Sequence, residues 1–516
     1  DREAPERGDD EDPVEQVHLG LGGAGEAVVT FATWRPEVPS KVRFGRLGEA
    51  LAREASGEVS TYTTYTCLSS HGLRRPSMST RGGAPEVTDQ ELADIVNTSR
   101  LGLPPESLPY LHIAKAEDAW GALRSGGCVT YNNPLAYYES PYLHTVVLGG
   151  LEPRAAYAYR PAGGRRTFNF TMPPAAGDSD PGRPLKLAVW ADIGVTNISY
   201  SVMRRIADMR PDVLLTVGDY SYADGWSPRW ETFGVMMEPL MSSVAGLGVP
   251  GNHEIQMGFF QGNDFVHRFP QPYRQSGSTS PMMYSYDTGL VHILGLPGSY
   301  APTTNTSLGR ASAQYLFAAS DLARVDRSVT PWIVVMYHTP WYNSNSKHYL
   351  EGIKHQWDME DLFHYHGVDV VFNGHVHAYE RSYPVYKNKV DPCGAVHIVV
   401  GDAGNYEGPA LQWTQPQPQW SAFRESAFGS GALTVLSGIN AQWEWRRVAC
   451  VSKGPGDAFW SWPGQAGLHG EPCTTEGDDS MTSTVAVDTA ALVRDVVSCP
   501  NKVASRRLFA EKPVMV

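Results

Sequence analysis

Short apolar runs recur along the chain, and their grammar changes near residue 180. From Val14 to about Thr66 the runs VHLGL, AVVTFATW, KVRFG and STYTTYT are punctuated by Gly and Pro. That is the pattern of short antiparallel strands. Residues 68–127 break it with Ser, Arg and Pro and with one helical candidate near Thr88–Val96, opened by a T-x-x-E capping pattern. Strands resume in LHTVVLGGLEP, AYAYR and RTFNFTMPP. The block 14–175 therefore reads as a β-sandwich of fibronectin or immunoglobulin type, interrupted by an insertion at 68–127. Ahead of it, residues 1–13 are charged and aperiodic, a disordered lead-in.

After the linker from Pro174 to Pro184, buried-type strands alternate with helical spacing: KLAVWAD, SYSVMRRIADM, DVLLTVGD. Further strands follow in VAGLGVPGN, VHILGLPG, TPWIVVMYH and VDVVFNGH, and strand-like pieces continue to about residue 494. Such alternation implies a mixed or parallel sheet with helices on its faces. The second unit spans 185–500. Each strand delivers polar residues at its C-terminal end, where open α/β sheets place their sites.

Composition narrows the class. Hydrophobic residues are 42% of the chain, so a packed core is within reach and disorder is not the main state. Lys and Arg number 42 against 55 Asp and Glu, a net charge of −13. That balance argues against nucleic acid or an anionic membrane as a partner. No apolar run reaches the 18 residues of a spanning helix. The six cysteines form no C-x-x-C pair, which excludes ribbon zinc sites and thioredoxin chemistry. Sequons stand at Asn97, Asn169, Asn197 and Asn305. With an even cysteine count they point to an oxidising, secretory compartment. The start at Asp1, with neither Met nor an apolar leader, fits a removed secretory segment or a cut at a chosen boundary. Cys67 and Cys128 flank the insertion and could bridge; Cys393 could pair within the chain or between chains.

Five strand ends carry metal-ligand residue types. They are Asp192 in D-I-G, Asp219 and Tyr222 in G-D-Y-S-Y, Asn252 in G-N-H-E, His338 in V-M-Y-H, and His375 with His377 in G-H-V-H. Any one has a bland explanation, since an Asp ending a strand is commonly a cap or turn residue. The set does not. Hard oxygen donors and three imidazoles at the strand ends of one α/β unit suit first-row transition ions. Seven ligands divide over two ions with one carboxylate shared, the arrangement that clamps both oxygens of a phosphoryl transfer.

These blocks, in this order, resemble the purple acid phosphatases among the calcineurin-like metallophosphoesterases, whose pattern is D-x-G, G-D-x-x-Y, G-N-H-[DE], V-x-x-H, G-H-x-H. Segments such as D-P-C-G-A-V-H-I and Y-N-N-P are similar to the high-molecular-weight plant enzymes and their phytase-type branch. The resemblance implies a four-layer αββα metallophosphoesterase domain after the N-terminal β-sandwich. It implies Fe(III) on Asp192, Tyr222 and His377, and Zn, Mn or Fe(II) on Asn252, His338 and His375, with Asp219 bridging. It implies that His253 contacts the substrate phosphate. It also implies that His348 protonates the leaving group, with Lys347 beside it where some members have another His. The activity implied is acid hydrolysis of small phosphomonoesters by hydroxide generated at the metals, extending to phytate, in a secreted, vacuolar or cell-wall homodimer. The segment after G-D-A-G-N here is Y-E-G-P-A, unlike the basic stretch of phytase-type members. Two other readings stay open: a phosphodiesterase or nucleotide pyrophosphatase with the same site, and a non-catalytic secreted binding protein.

Overall fold

A computed structural model of the chain describes residues 12–67, 111–113, 135–223, 227, 229–255, 262–298, 309–448 and 487–503. Two sheets face each other across the main core. In the first, strands Leu185–Trp190, Val213–Val217 and Gly246–Val249 run parallel. Helices Asn197–Asp208 and Arg229–Met241 make the crossovers between them. In the second, Val291–Gly295, Trp332–Met336, Val370–Asn373 and Val396–Val400 run parallel.

Side-chain alternation builds the layers. Leu187 and Val189 point into the cluster shared with Val334, Met336, Val370 and Phe372 of the other sheet. Ala188 and Trp190, one residue out of phase, pack against Ile198, Val202 and Ile206 of the first crossover helix. Ile333, Val335 and Val371 pack outward against Met359, Leu362 and Phe363 of helix Ile353–Tyr365. Each sheet is thus apolar on both faces, as strands covered on both sides must be. Each fully buried aliphatic side chain here contributes about 1.5–3 kcal/mol. The result is a mixed α/β fold with helices outside two facing sheets.

The N-terminal region is sheet-rich. Strands Lys41–Arg46, Arg53–Ser56, Ala156–Pro161 and Phe168–Thr171 form a four-stranded sheet. Strands Glu15–Leu21, Ala27–Thr33, Tyr142–Leu148 and Glu58–Ser60 instead extend the first sheet to ten strands, entering through a parallel bridge between Gly20 and Gly246. The ladder therefore crosses the linker boundary read from composition. That linker is itself docked: Thr288 Oγ1 and Gly289 N both donate to Pro174 O. The 68–127 insertion lies outside the described residues apart from strand Leu111–Ile113. The lead-in lies outside them up to residue 11.

Cys393 pairs within the chain, with Cys499. The bridge pins the segment that carries Arg494 and Lys502 beside the buried Asp369, which Arg327 also contacts. Among the described residues, no helix is long and apolar enough to cross a membrane.

Candidate metal centre

The C-terminal ends of the two sheets converge, and they bring different chemistries. The first sheet delivers oxygen donors: Asp192 after its first parallel strand, Asp219 and Tyr222 after the second, Asn252 after the third. The second sheet delivers nitrogen donors: His338 after Trp332–Met336, then His375 and His377 after Val370–Asn373. All seven side chains are buried.

The donor atoms gather in two adjoining groups. In one, Tyr222 Oη lies 2.9 Å from Asp192 Oδ1 and 2.9 Å from His377 Nε2. In the other, Asn252 Oδ1 lies 2.8 Å from His375 Nδ1 and 3.2 Å from His338 Nε2. Asp219 Oδ2 stands 2.9 Å from His338 Nε2, and Asp192 Oδ1 is 3.8 Å from the same nitrogen, so the groups touch.

Proton counting shows what the pocket is built to hold. His338 Nδ1 is 2.7 Å from the Val217 carbonyl, so it must carry the proton and donate. A neutral ring then aims its Nε2 lone pair at the Asp219 carboxylate, which is repulsive unless a cation lies between. His377 Nδ1 lies 3.2 Å from the Gly408 carbonyl and directs Nε2 inward in the same way. Tyr222 has one hydroxyl proton for two acceptors. Asp219 Oδ2 is buried and has no aligned hydrogen-bond donor among the described residues. Lone pairs outnumber protons at this point, and bound cations would supply the missing positive charge.

Electrostatics agree. Burial disfavours a charged His338, yet Asp219 and Asp192 push it up to about 9. Although burial opposes its charge, His338 and His253 hold Asp219 well below the usual carboxylate range. Burial and the neighbouring Asp192 raise the Tyr222 phenol above its ordinary value. The donor set fits a pair of transition ions.

Backbone strain marks the same residues. Asp192, Asp219, Tyr222, His348 and His375 all have positive φ, between 52° and 69°. A left-handed backbone is costly for such side chains and persists where neighbours enforce it. Gly374 is required beside His375, because a Cβ there would run into Asp192 Oδ2.

His253 packs its ring against Tyr222 in a tilted pair, centroids 3.9 Å apart, and donates its backbone N–H to Asp219 Oδ1 at 2.9 Å. His348 packs against His375 in a tilted ring pair with centroids 3.9 Å apart. Lys347 is exposed, and its hydrogen bonds among the described residues are made by its backbone, to Asn343 and Asn345. Three carboxylates that residue typing passed over also belong here. Glu351 bridges His348 Nδ1 (2.6 Å) and His375 Nε2 (3.1 Å). Glu407 reaches within 3.9 Å of both His253 Nε2 and His377 Nδ1. Glu254 takes three backbone N–H groups of the ligand loops. The signal for Glu351 was its place three residues after His348; the signal for Glu254 was the last letter of G-N-H-E.

Comparison with known proteins points the same way. A family model described as calcineurin-like phosphoesterase matches residues 185–379. A second, described as iron/zinc purple acid phosphatase-like protein C, matches 394–453. Purple acid phosphatase 18 of Arabidopsis thaliana is 42% identical over 313 residues, covering 60% of this chain and 69% of the relative. Purple acid phosphatase 22 of the same plant is 41% identical, covering 63% and 72%. The phosphoenolpyruvate phosphatase of Allium cepa is 36% identical, covering 60% and 67%. Among solved structures, purple acid phosphatase PPD1 from yellow lupin (Lupinus luteus) seeds superposes with a TM-score of 0.62 at 20% identity, over 96% of this chain and 76% of that one.

Proposed function

The chain belongs to the purple acid phosphatase family, metal-dependent enzymes that hydrolyse phosphomonoesters at a dimetal site, and from that premise we propose how its residues divide the work. Asp192, Tyr222 and His377 would hold a ferric ion, Asn252, His338 and His375 would hold Zn, Mn or Fe(II), and Asp219 would serve both. The observation that carries this reading is the surplus of lone pairs over protons where Tyr222, Asp192, His377, Asp219, His338 and Asn252 meet. A phenolate is a hard anionic donor suited to the trivalent ion, while imidazoles and an amide suit the softer one. When bound, the ions supply Lewis-acid activation of water and neutralise charge on the phosphate.

The surrounding residues bind and protonate. His253, held above the Tyr222 ring by its own backbone bond to Asp219, donates to an equatorial phosphate oxygen. His348 has Nδ1 engaged by Glu351, which fixes the ring and leaves Nε2 to protonate the departing oxygen. Two carboxylates, Glu351 and Glu407, stand beside the histidines of the site. Their negative charge favours esters bearing one phosphate over phytate with its six. The Cys393–Cys499 bridge supports an oxidising compartment, hence a secreted, vacuolar or cell-wall setting.

Metal analysis with a visible spectrum tests the ligand assignment. Wild type should hold iron plus a divalent ion and show a broad visible band. Tyr222→Phe should abolish the band. A colourless, iron-free wild-type protein would overturn the assignment. Phosphate release from phytate as efficient as from phosphoenolpyruvate would overturn the substrate preference.

A further inference from the structure

We infer that Glu254 is a positioning residue that sets the spacing between the bridging carboxylate and the divalent-ion arm of the centre. The inference rests on the two-metal reading above.

Strands Val213–Val217 and Gly246–Val249 are parallel neighbours, paired up to Val217 and Val249. Beyond that pair the ladder stops, and the two chains turn away to present Asp219 and Asn252. Backbone N–H groups just past a ladder have lost their strand partners and need other acceptors. Glu254 supplies them. Its Oε2 accepts from Asp219 N (2.8 Å) and Gly251 N (2.8 Å), and its Oε1 accepts from Tyr220 N (2.9 Å). One carboxylate therefore ties together both ligand-bearing turns.

Local geometry explains why a carboxylate fits. Gly218 and Asp219 have φ of 87° and 53°. Successive backbone N–H groups in such a tight turn can converge on one point and make an anion-binding nest. Glu254 fills that nest, and its bonds help hold Asp219 in the left-handed conformation that it would not keep alone. The clasp is reciprocal. Asp219 Oδ1 accepts from His253 N, next to Asn252, while Glu254 accepts from Asp219 N. A Cβ at Gly251 would collide with Asp219 Oδ1, so the two turns are already at closest approach. With both main chains locked, the side chains of Asp219 and Asn252 leave from fixed points.

The consequence is selective. Gly251 leads directly into Asn252, which serves only the divalent ion. Tyr222 and its partners Asp192 and His377 have no hydrogen bond to Glu254 among the described residues. Losing Glu254 should loosen the divalent ion before the ferric one.

The test uses the full chain as Glu254→Gln and Glu254→Leu, titrated with Zn(II) against a competing chelator. Zn(II) affinity should fall about 10–100-fold, the usual cost of removing a group that orients a ligand, and less for Gln, which keeps one acceptor oxygen. Iron content and the position of the Tyr222 band should stay as in wild type, and so should the far-ultraviolet circular dichroism of the metal-free proteins. Zn(II) affinity within twofold of wild type in Glu254→Gln would overturn the inference, as would parallel loss of iron and zinc. If Glu254→Leu does not fold, Glu254→Gln decides alone. A wild-type chain that binds neither ion would overturn the two-metal reading as well; a wild-type chain that binds both, with unchanged variants, would overturn only the role of Glu254.

Discussion

His375 donates its backbone N–H to Asp192 Oδ2 at 2.8 Å, so the histidine-bearing loop of one sheet is held by a carboxylate of the other. Asp192 thus acts twice. Oδ1 faces Tyr222 and His377, while Oδ2 fixes the turn from which His375 projects.

Removing that carboxylate should therefore damage both halves of the centre. In Asp192→Ala, iron should be lost, divalent-ion retention should fall, and turnover should drop by about three orders of magnitude, since several kcal/mol of charge stabilisation go with the metals. Elemental analysis beside a phosphate-release assay checks this. Wild-type iron content in the variant would remove Asp192 from the ligand set.

His348 should matter in proportion to the difficulty of the leaving group. His348→Ala should slow alkyl phosphates by about 10²–10⁴-fold, the usual range for a lost general acid. Activated aryl phosphates, whose leaving oxygen needs little protonation, should lose far less. Equal losses on both ester types would exclude the proton-donor role. Glu351→Gln should give a smaller loss of the same kind, because the ring stays and only its orientation is freed.

His292 offers a prediction on stability away from the centre. Its two ring nitrogens lie 2.7 Å from Asp287 Oδ1 and 2.8 Å from Asp321 Oδ2. Burial opposes the charge, yet the two carboxylates raise this histidine to about 9. A folded value above the unfolded one means the contribution is fully present below about pH 6.5 and is lost as pH rises through about 9. From 6.5 to about 9 the shift corresponds to about 3 kcal/mol. Urea midpoints should fall across that window in wild type, and His292→Gln should flatten the fall. An unchanged slope in the variant would refute this contribution of His292.

The Cys393–Cys499 bridge closes a span of 106 residues. Loops near that length constrain the unfolded chain by about 4.7 kcal/mol in the chain-entropy model. The double variant Cys393→Ser with Cys499→Ser should melt well below wild type, and its carboxy-terminal segment near Arg494 and Lys502 should be cut first by protease. A melting temperature equal to wild type would show that the Asp369 cluster holds this segment unaided.

The amino-acid sequence by itself determined the strand-end motifs, because a ligand and its strand are neighbours along the chain and an apolar run ending in Asp, Asn or His is a local pattern. It also determined the α/β grammar after residue 185 and, through Tyr222, the resemblance to one branch of the superfamily. Tertiary structure alone decided three things. It sorted oxygen donors onto one sheet and imidazoles onto the other, since strand order is a long-range pairing that no local pattern encodes. It ran the ladder across the apparent boundary at Gly20 and Gly246, because a strand's alternation states which face is buried but not which edge it joins. And it brought Glu254, Glu351 and Glu407 to the centre, because a carboxylate's role depends on the N–H groups, imidazoles and lone pairs around it, and those neighbours are assembled only when the chain folds.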